Sequence, residues 1–139
     1  MKTITLYLAI LVFALRAQAA PPANAQPPLS DYETVRHAGA FSMGATGYAA
    51  TISPTESSLR RILQTPTAAQ DCRKLTSEGT AAGQLYGLLG LKLPKDATYP
   101  TVAPRYKFSR TQVTVTSACD FFQRPTFFVA QHIDQGKLQ

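Results

Sequence analysis

The sequence predicts a mainly α-helical fold: a small single-domain helical bundle with one short extended segment or strand. Residues 53–56, Ser-Pro-Thr-Glu, combine a capping serine, a proline at the first helical position and a capping-box glutamate. Residues 65–66, Thr-Pro, repeat the cap and the proline, which indicates a second helix start. Residues 81–91 are apolar on nearly every face of a helix, so this helix is expected at the centre of the fold.

The first nineteen residues have the layout of a cleavable signal peptide. Lys2 supplies the positive start, residues 4–15 form an apolar run, and residues 17–19, Ala-Gln-Ala, fit a signal-peptidase site. The apolar run is too short to span a bilayer, which takes roughly 20 residues. Residues 23–25 offer a second cleavage site, and an uncleaved membrane anchor is the alternative. We therefore expect an exported protein, either periplasmic or secreted.

The rest of the chain is expected to be one basic domain behind a short leader. Loss of residues 1–19 removes Lys2 and Arg16, which leaves twelve basic against eight acidic residues, a net charge of +4. Residues 20–30 are rich in proline and poor in large apolar side chains, which predicts a disordered leader. Residues 31–139 are long enough for a single helical domain with a hydrophobic core, and no apolar segment there reaches membrane length.

The first half of this domain is predicted to be helical. Glycines at positions 83, 87 and 90 form a flat strip on one helix, which allows another backbone to come close. Each internal glycine costs about 1 kcal/mol of helix propensity, so close packing must offset it. Helices are expected from Tyr32 to Ala40, before a glycine-rich loop, and over 53–65, 66–77 and 80–91.

The second half is predicted to hold the extended segment. Residues 93–110 contain three prolines and are expected to form a long loop. Residues 111–117 alternate valines with polar residues, as a strand does. Residues 107–108 or the region of Phe41 would have to pair with this strand; otherwise it packs on helices as an extended segment. Residues 120–124 are predicted to turn, and a final helix is expected from Pro125 to Gly136.

Two resemblances accompany these predictions. Residues 53–91, a capped helix followed by two more, resemble the helical hairpins of HEAT-type repeat proteins. The resemblance covers one copy and under a third of the chain, so it implies interaction through a helical surface and transfers no site. The combination of residues 47–49 (Gly-Tyr-Ala), Ser53-x-x-Glu56 and residues 82–86 (Ala-Gly-Gln-Leu-Tyr) is similar to small exported bacterial proteins of unknown function.

The two cysteines, Cys72 and Cys119, are predicted to pair as one disulfide, since an even number of cysteines in an oxidising compartment favours pairing. Such a bond would close a loop of about fifty residues and add roughly 4 kcal/mol of stability. Two separate buried thiols are the alternative. There is no Cys-x-x-Cys motif, and His37 and His132 are distant in sequence, so neither a metal site nor a cofactor is predicted.

The sequence gives only weak support to two catalytic arrangements. A Ser/His/acid site would use His37 or His132, but the sequence lacks the G-x-S-x-G motif of a nucleophile elbow. A Cys/His pair would join Cys119 to His132 and competes with the predicted disulfide. A hydrolase without a recognisable motif therefore remains only an alternative function.

The stretch 92–110 is the candidate binding loop for an anion or a partner. It interleaves cations with aromatic side chains, a composition that suits an acidic protein, a phospholipid head group or an anionic glycan. The alternative is a solvated loop whose aromatic residues dock on the core. Nucleic acid is disfavoured by the expected compartment. The candidate residues are Lys92, Lys95, Tyr99, Arg105, Tyr106, Lys107 and Arg110, with Phe108 beside them.

These observations favour a small exported protein that acts by binding rather than by catalysis. The expected partner is another exported protein, bound in the manner of an accessory, inhibitor or immunity-type protein. A small periplasmic or secreted hydrolase is the alternative from a different class. Attachment to anionic envelope surfaces is the third, and it predicts binding that weakens steeply with salt.

Overall fold

The computed structural model describes residues 28–47 and 49–138. Within these ranges the chain forms six α helices and four β strands. In chain order the elements are α1 Asp31–Arg36, β1 Ala40–Thr46, β2 Thr51–Ile52, α2 Pro54–Ile62, α3 Ala68–Glu78, α4 Ala81–Lys92, α5 Tyr99–Val102 (continued by a 3₁₀ turn, Ala103–Tyr106), β3 Gln112–Ala118, β4 Asp120–Pro125 and α6 Thr126–Gln135.

The fold is mixed α/β, so the prediction of a mainly α-helical bundle is wrong. The four strands form one sheet in the order β2-β1-β3-β4. β1 and β3 are parallel, whereas β2 and β4 pair antiparallel with their neighbours. Of the candidate partners for the predicted strand, the Phe41 region supplies the pairing, since Phe41 lies opposite Val115.

β1 escaped prediction because its side chains are small. The segment Ala-Phe-Ser-Met-Gly-Ala-Thr has no β-branched residue before its last position, and alanine and glycine are depleted in strands. Burial decides its conformation instead. Phe41 is 2% exposed and packs its ring 4.7 Å from the ring of Tyr86 on α4. The helix predicted over 32–40 therefore ends at Arg36, before the strand begins.

The remaining helices confirm the Ser53 cap and the stop at Gly136, whereas the cap predicted at Thr65 is wrong, because α3 begins at Ala68 with Thr67 before it. The Glu56 carboxylate accepts from the Gly44 N–H and from Arg60 instead of completing a capping box. The Ser53 hydroxyl accepts a hydrogen bond from the Glu56 N–H at 3.1 Å, and Pro54 is the first residue of α2. The Thr80 hydroxyl accepts from the Gly83 N–H at 3.1 Å at the start of α4. α6 ends at Gly136, whose φ of +67° is the left-handed geometry that glycine adopts without strain.

α4 is the central helix, as its composition predicts. Nine of its twelve residues are buried, and it contacts helices on several sides as well as the sheet. The glycine strip allows close approach of other backbones. A Cβ added at Gly83 would lie 2.7 Å from the Val35 carbonyl oxygen of α1, and one at Gly87 would lie 2.8 Å from the Cys72 carbonyl oxygen of α3.

The cysteines do not form the predicted disulfide. Both are free thiols, Cys72 buried and Cys119 exposed. Cys72 lies on α3 with its sulfur against Gly90 of α4, whereas Cys119 is in the turn that joins β3 to β4. Their positions in the core and at a hairpin tip explain why they do not pair. Burial, together with the Asp71 and Asp96 carboxylates, raises the pKa of Cys72 to about 12.

The predicted signal peptide and most of the predicted leader lie outside the described residues, so both remain predictions. Tyr48, which belongs to one of the two resemblances, is outside them as well. Across 28–47 and 49–138, every helix is too short or too polar to cross a bilayer.

Candidate functional site

A groove opens between α4, the α5 segment with its 3₁₀ turn, and α6. Its volume is about 600 Å³, within the range of sites that hold small ligands or the side chains of a bound segment. Apolar residues form its floor and polar side chains its rim. The floor includes Leu88, Ala103, Phe127 and Ala130; the rim includes Lys92, Tyr99, Lys107, Gln131 and Asp134.

A charged cluster fixes one side of this groove. The Tyr99 hydroxyl donates to Asp134 Oδ1 at 3.0 Å, and Lys92 Nζ lies 3.5 Å from the same oxygen. Lys92 also lies over the Tyr99 ring, 4.8 Å from its centre, a cation–π arrangement. Burial and the Asp134 carboxylate raise the pKa of Tyr99 well above its ordinary value. Tyr99 therefore stays a neutral hydrogen-bond donor, and Asp134 has its charge compensated.

The structure brings only part of the candidate binding loop to the groove. Lys92, Tyr99 and Lys107 line it. Tyr106 instead points into the core, where its hydroxyl donates to the Thr76 carbonyl at 3.0 Å and burial raises its pKa to about 12. The alternative of aromatic residues docked on the core thus applies to Tyr106. The other candidates, Lys95, Arg105 and Arg110, are exposed and lie outside the groove lining.

The cations of the loop are mostly uncompensated. Among the described residues, Lys95, Arg105, Lys107 and Arg110 form no ion pair with a carboxylate. Phe108 lies between them and is 89% exposed. The mouth of the groove and the neighbouring surface therefore carry positive charge that a ligand or partner would have to neutralise.

The contribution of α6 to the groove was not predicted from the sequence. Phe127, Gln131 and Asp134 follow one another at helical spacing and share the face that lines it. Two polar residues on the same stripe as a phenylalanine are the signal that would have identified them. Apolar character alone does not mark the buried face of α6, since Phe128 is 40% exposed.

A second, smaller cavity lies between the sheet and α6. Its volume is about 210 Å³, and it is lined by Phe122 and Arg124 of β4 and by Phe128 and His132 of α6, among others. The Arg124 guanidinium stands 5.3 Å from the Phe122 ring centre and 5.7 Å from that of Phe128. Aromatic side chains thus hold Arg124 in place at the edge of the sheet.

Neither of the catalytic arrangements considered from the sequence is assembled in the described part of the chain. His132 Nδ1 lies 2.8 Å from the Phe128 carbonyl oxygen of its own helix, and no hydrogen bond joins His132 to Cys119. His37 Nε2 contacts Glu33 Oε2 at 3.1 Å and is 60% exposed at the end of α1. Each histidine is therefore engaged with a neighbour one helical turn away.

Comparisons with known proteins leave the groove as the main guide to function. No family model, no curated protein and no solved structure matches this chain. The proposals below therefore depend on the chemistry of the described residues.

Proposed function

We propose that this chain is an exported, non-catalytic binding protein whose groove takes an acidic segment of another exported protein. The observation that carries the proposal is the combination of an apolar floor with Lys107 on the rim, which has no acidic partner among the described residues. Apolar side chains of the segment would fill the groove. Its carboxylates would pair with Lys107 and with the exposed cations beside it.

The charged cluster of the groove supports recognition of an acidic ligand over a basic one. Among the described residues that line the groove, Asp134 is the one carboxylate; Lys92 pairs with it and the Tyr99 hydroxyl donates a hydrogen bond to it. A basic segment would therefore meet Lys107 without a free carboxylate to bind. The expected result is selection against cationic partners, since like charges placed together cost binding energy.

Binding to an anionic envelope surface is the second candidate function. It is favoured by Phe108, which is 89% exposed and has Arg105, Lys107 and Arg110 within three residues of it. An exposed aromatic side chain among cations suits the interface of an anionic membrane, where the ring enters the head-group region. This surface lies beside the groove and does not require it to be filled.

A titration of isotope-labelled protein with two synthetic peptides tests the first proposal. One peptide contains leucine and glutamate, and the other has lysine in place of each glutamate. We expect amide NMR shifts around Lys92, Lys107 and Gln131 with the acidic peptide only. Lys107→Glu should weaken that binding at least about tenfold. The matched control is Lys74→Glu on the exposed side of α3, which should leave the affinity unchanged.

Two results would count against the acidic-segment proposal. One is equal binding of both peptides, and the other is a set of shifts away from the groove. Vesicles containing anionic lipid test the second candidate function separately from the first. Phe108→Ser should abolish vesicle binding while leaving peptide binding intact. Export is tested independently by the intact mass of the protein from its own host, which should lack residues 1–19.

A further inference from the structure

The outer edge of β4 is open. β4 is an end strand of the sheet, and within 28–47 and 49–138 no segment pairs with its outer side. Its side chains are exposed from Asp120 to Arg124, including Phe121 at 73% and Phe122 at 39%. An unpaired strand edge with exposed apolar residues is a template for another strand.

The hydrogen-bonding groups on this edge follow from the pairing of β4 with β3. The Thr126 N–H donates to the Thr111 carbonyl at 2.8 Å, which makes this an inward-bonded pair. Such pairs alternate along an antiparallel ladder, so Asp120, Phe122 and Arg124 also bond inward to β3. Phe121 and Gln123 then direct both their N–H and their C=O groups outward. Pro125, the next outward position, has no N–H and ends the donor row.

The charges of β4 are symmetric about Phe122. Asp120 lies two residues before it and Arg124 two residues after it, and all three side chains share one face of the sheet. In an antiparallel pairing of two β4 strands centred on Phe122, Asp120 would lie opposite Arg124 of the partner subunit. The same contact would occur a second time by symmetry, so the strand is complementary in charge to a copy of itself.

We infer that β4 is a self-association edge, where a second copy of this chain adds its own β4 antiparallel, with the two Phe122 residues facing each other. The two sheets then form one continuous eight-stranded sheet about a two-fold axis. Phe121 exchanges N–H and C=O hydrogen bonds with Gln123 of the partner subunit, and this pair also occurs twice. Four main-chain hydrogen bonds and two ion pairs join the strands. The inference is independent of the groove.

Other registers lose this complementarity. An axis at Asp120 or at Arg124 would place like charges directly opposite each other, which is destabilising. An axis at Phe121 or at Gln123 would place the charges opposite uncharged residues. An axis between two residues would set outward-facing groups against inward-facing ones and form no ladder. Only the axis at Phe122 satisfies the charges and the hydrogen bonds together.

The first test is sedimentation of the processed protein over a range of concentrations up to about 1 mM. The expected result is a reversible monomer–dimer equilibrium. Gln123→Pro should abolish it, because proline removes an outward N–H that β3 does not use, as Pro125 already does at the next such position. The matched control is Gln123→Ala, which keeps the N–H and should dimerise normally.

The second test uses charge reversal. Asp120→Arg alone and Arg124→Asp alone each place like charges opposite, so each variant should dimerise at least about tenfold more weakly than the wild type. A mixture of the two variants should form heterodimers, because arginines then face aspartates at both positions. Recovery on mixing separates a broken interface from a damaged fold, which mixing would not repair.

The third test fixes the register. In a Cys119→Ser background, Phe122→Cys should cross-link to its copy under oxidation, since facing residues outside the hydrogen-bonded pairs have Cα atoms about 4.5 Å apart. Phe121→Cys, which faces residue 123 of the partner subunit, should not cross-link. The inference would be overturned by a wild-type protein that stays monomeric, or by a dimer that Gln123→Pro leaves intact. It would also be overturned by a wild-type monomer that dimerises only after residues 20–27 are removed, since those residues and not a second copy would then occupy the edge.

Discussion

The two edges of the sheet differ in whether side chains bond the main-chain groups that no strand pairs. On the β2 side, helices supply side chains that bond main-chain groups of β1 that β2 leaves unpaired. Beyond the two-residue β2, the Tyr86 hydroxyl accepts from the Ser42 N–H at 2.9 Å and donates to the Ser42 carbonyl at 2.8 Å. The Glu56 carboxylate accepts from the Gly44 N–H at 2.8 Å. On the β4 side the outward groups have no such partner in the described residues.

The difference shows that buried side chains from helices protect the edge of the sheet on the β2 side. Tyr86 of α4 and Glu56 of α2 are both fully buried. No buried polar side chain serves the outer edge of β4, whose residues are exposed. We therefore expect substitutions at the β2 side to change the free energy of unfolding. Substitutions at the β4 side should change association instead.

The largest expected contrast is between the two thiols. Cys72 is buried against α4, and its pKa, raised by burial to about 12, leaves little thiolate at neutral pH. Cys119 is exposed in the turn that precedes β4. An aromatic disulfide reagent should label Cys119 readily in the native protein and Cys72 at least about a thousandfold more slowly, through unfolding. Mass spectrometry of the labelled peptides measures both rates; similar rates would mean that the core around Cys72 is open.

Removal of the Glu56 carboxylate should be the most destabilising of the substitutions proposed. Glu56→Leu leaves the Gly44 N–H without an acceptor and removes the Arg60 contacts at 2.6 and 3.0 Å. We expect a loss of about 2–3 kcal/mol in the free energy of unfolding, measured by denaturant titration. Glu56→Gln keeps an oxygen for Gly44 and serves as the matched control, with a smaller loss. Equal stability of the leucine variant and the wild type would contradict the protective role of Glu56.

Loss of the Tyr86 hydroxyl should have the next largest effect. Tyr86→Phe keeps the ring packed on Phe41 but leaves the Ser42 N–H and C=O unbonded. The expected cost is about 1–2 kcal/mol. Tyr32→Phe is the comparison, because the Tyr32 hydroxyl bonds only the exposed Glu78 at 3.0 Å. In thermal and denaturant unfolding, Tyr86→Phe should be less stable than Tyr32→Phe. The reverse order would contradict the protective role of the Tyr86 hydroxyl.

The smallest effect on stability is expected at the open edge. Phe121→Ser removes a side chain that is 73% exposed and contacts little of the core, so the free energy of unfolding should change by less than about 0.5 kcal/mol. A larger loss would show that Phe121 packs within its own chain. The same variant tests whether the exposed ring contributes to association, which sedimentation would report separately.

The helices could be predicted because their signals are local. The Ser53 cap, Pro54 at the first helical position and Gly136 at the end of α6 all act within a few residues. Hydrophobic spacing then sets the inward faces of α2 and α3. These features depend on nothing distant in sequence, so α2, α3, α4 and α6 lie close to their predicted ranges.

The sheet could not be predicted because its signals are distant. β1 contains mainly small residues, and only its pairing with β3, more than seventy positions away, makes it a strand. The prediction of a turn over 120–124 is wrong, because these residues form β4. The true turn, Ala118-Cys119, contains neither glycine nor asparagine. Ala118 adopts a φ of +50°, a conformation that favours glycine. The glycine or asparagine that typically indicates a hairpin turn is therefore missing from this part of the sequence.

Only one side of the groove could be predicted from the sequence, for a similar reason. The cations and tyrosines of residues 92–110 stand out in composition, and three of them line it. The α6 side, with Gln131 and Asp134, depends on how α6 is rotated against α4. That rotation follows from the packing of Val129 and Ile133 in the core, which the sequence pattern left open.

The glycines of α4 also limit how this sequence can diverge. At Gly83 and Gly87 an added methyl group would meet carbonyl oxygens of α1 and α3, and main-chain atoms cannot rotate away as side chains do. A relative with a larger residue at either position must have shifted a neighbouring helix as well. The spacing of these two glycines, together with the residues of α1 and α3 that face them, is therefore the pattern by which distant members of the same family would be recognised.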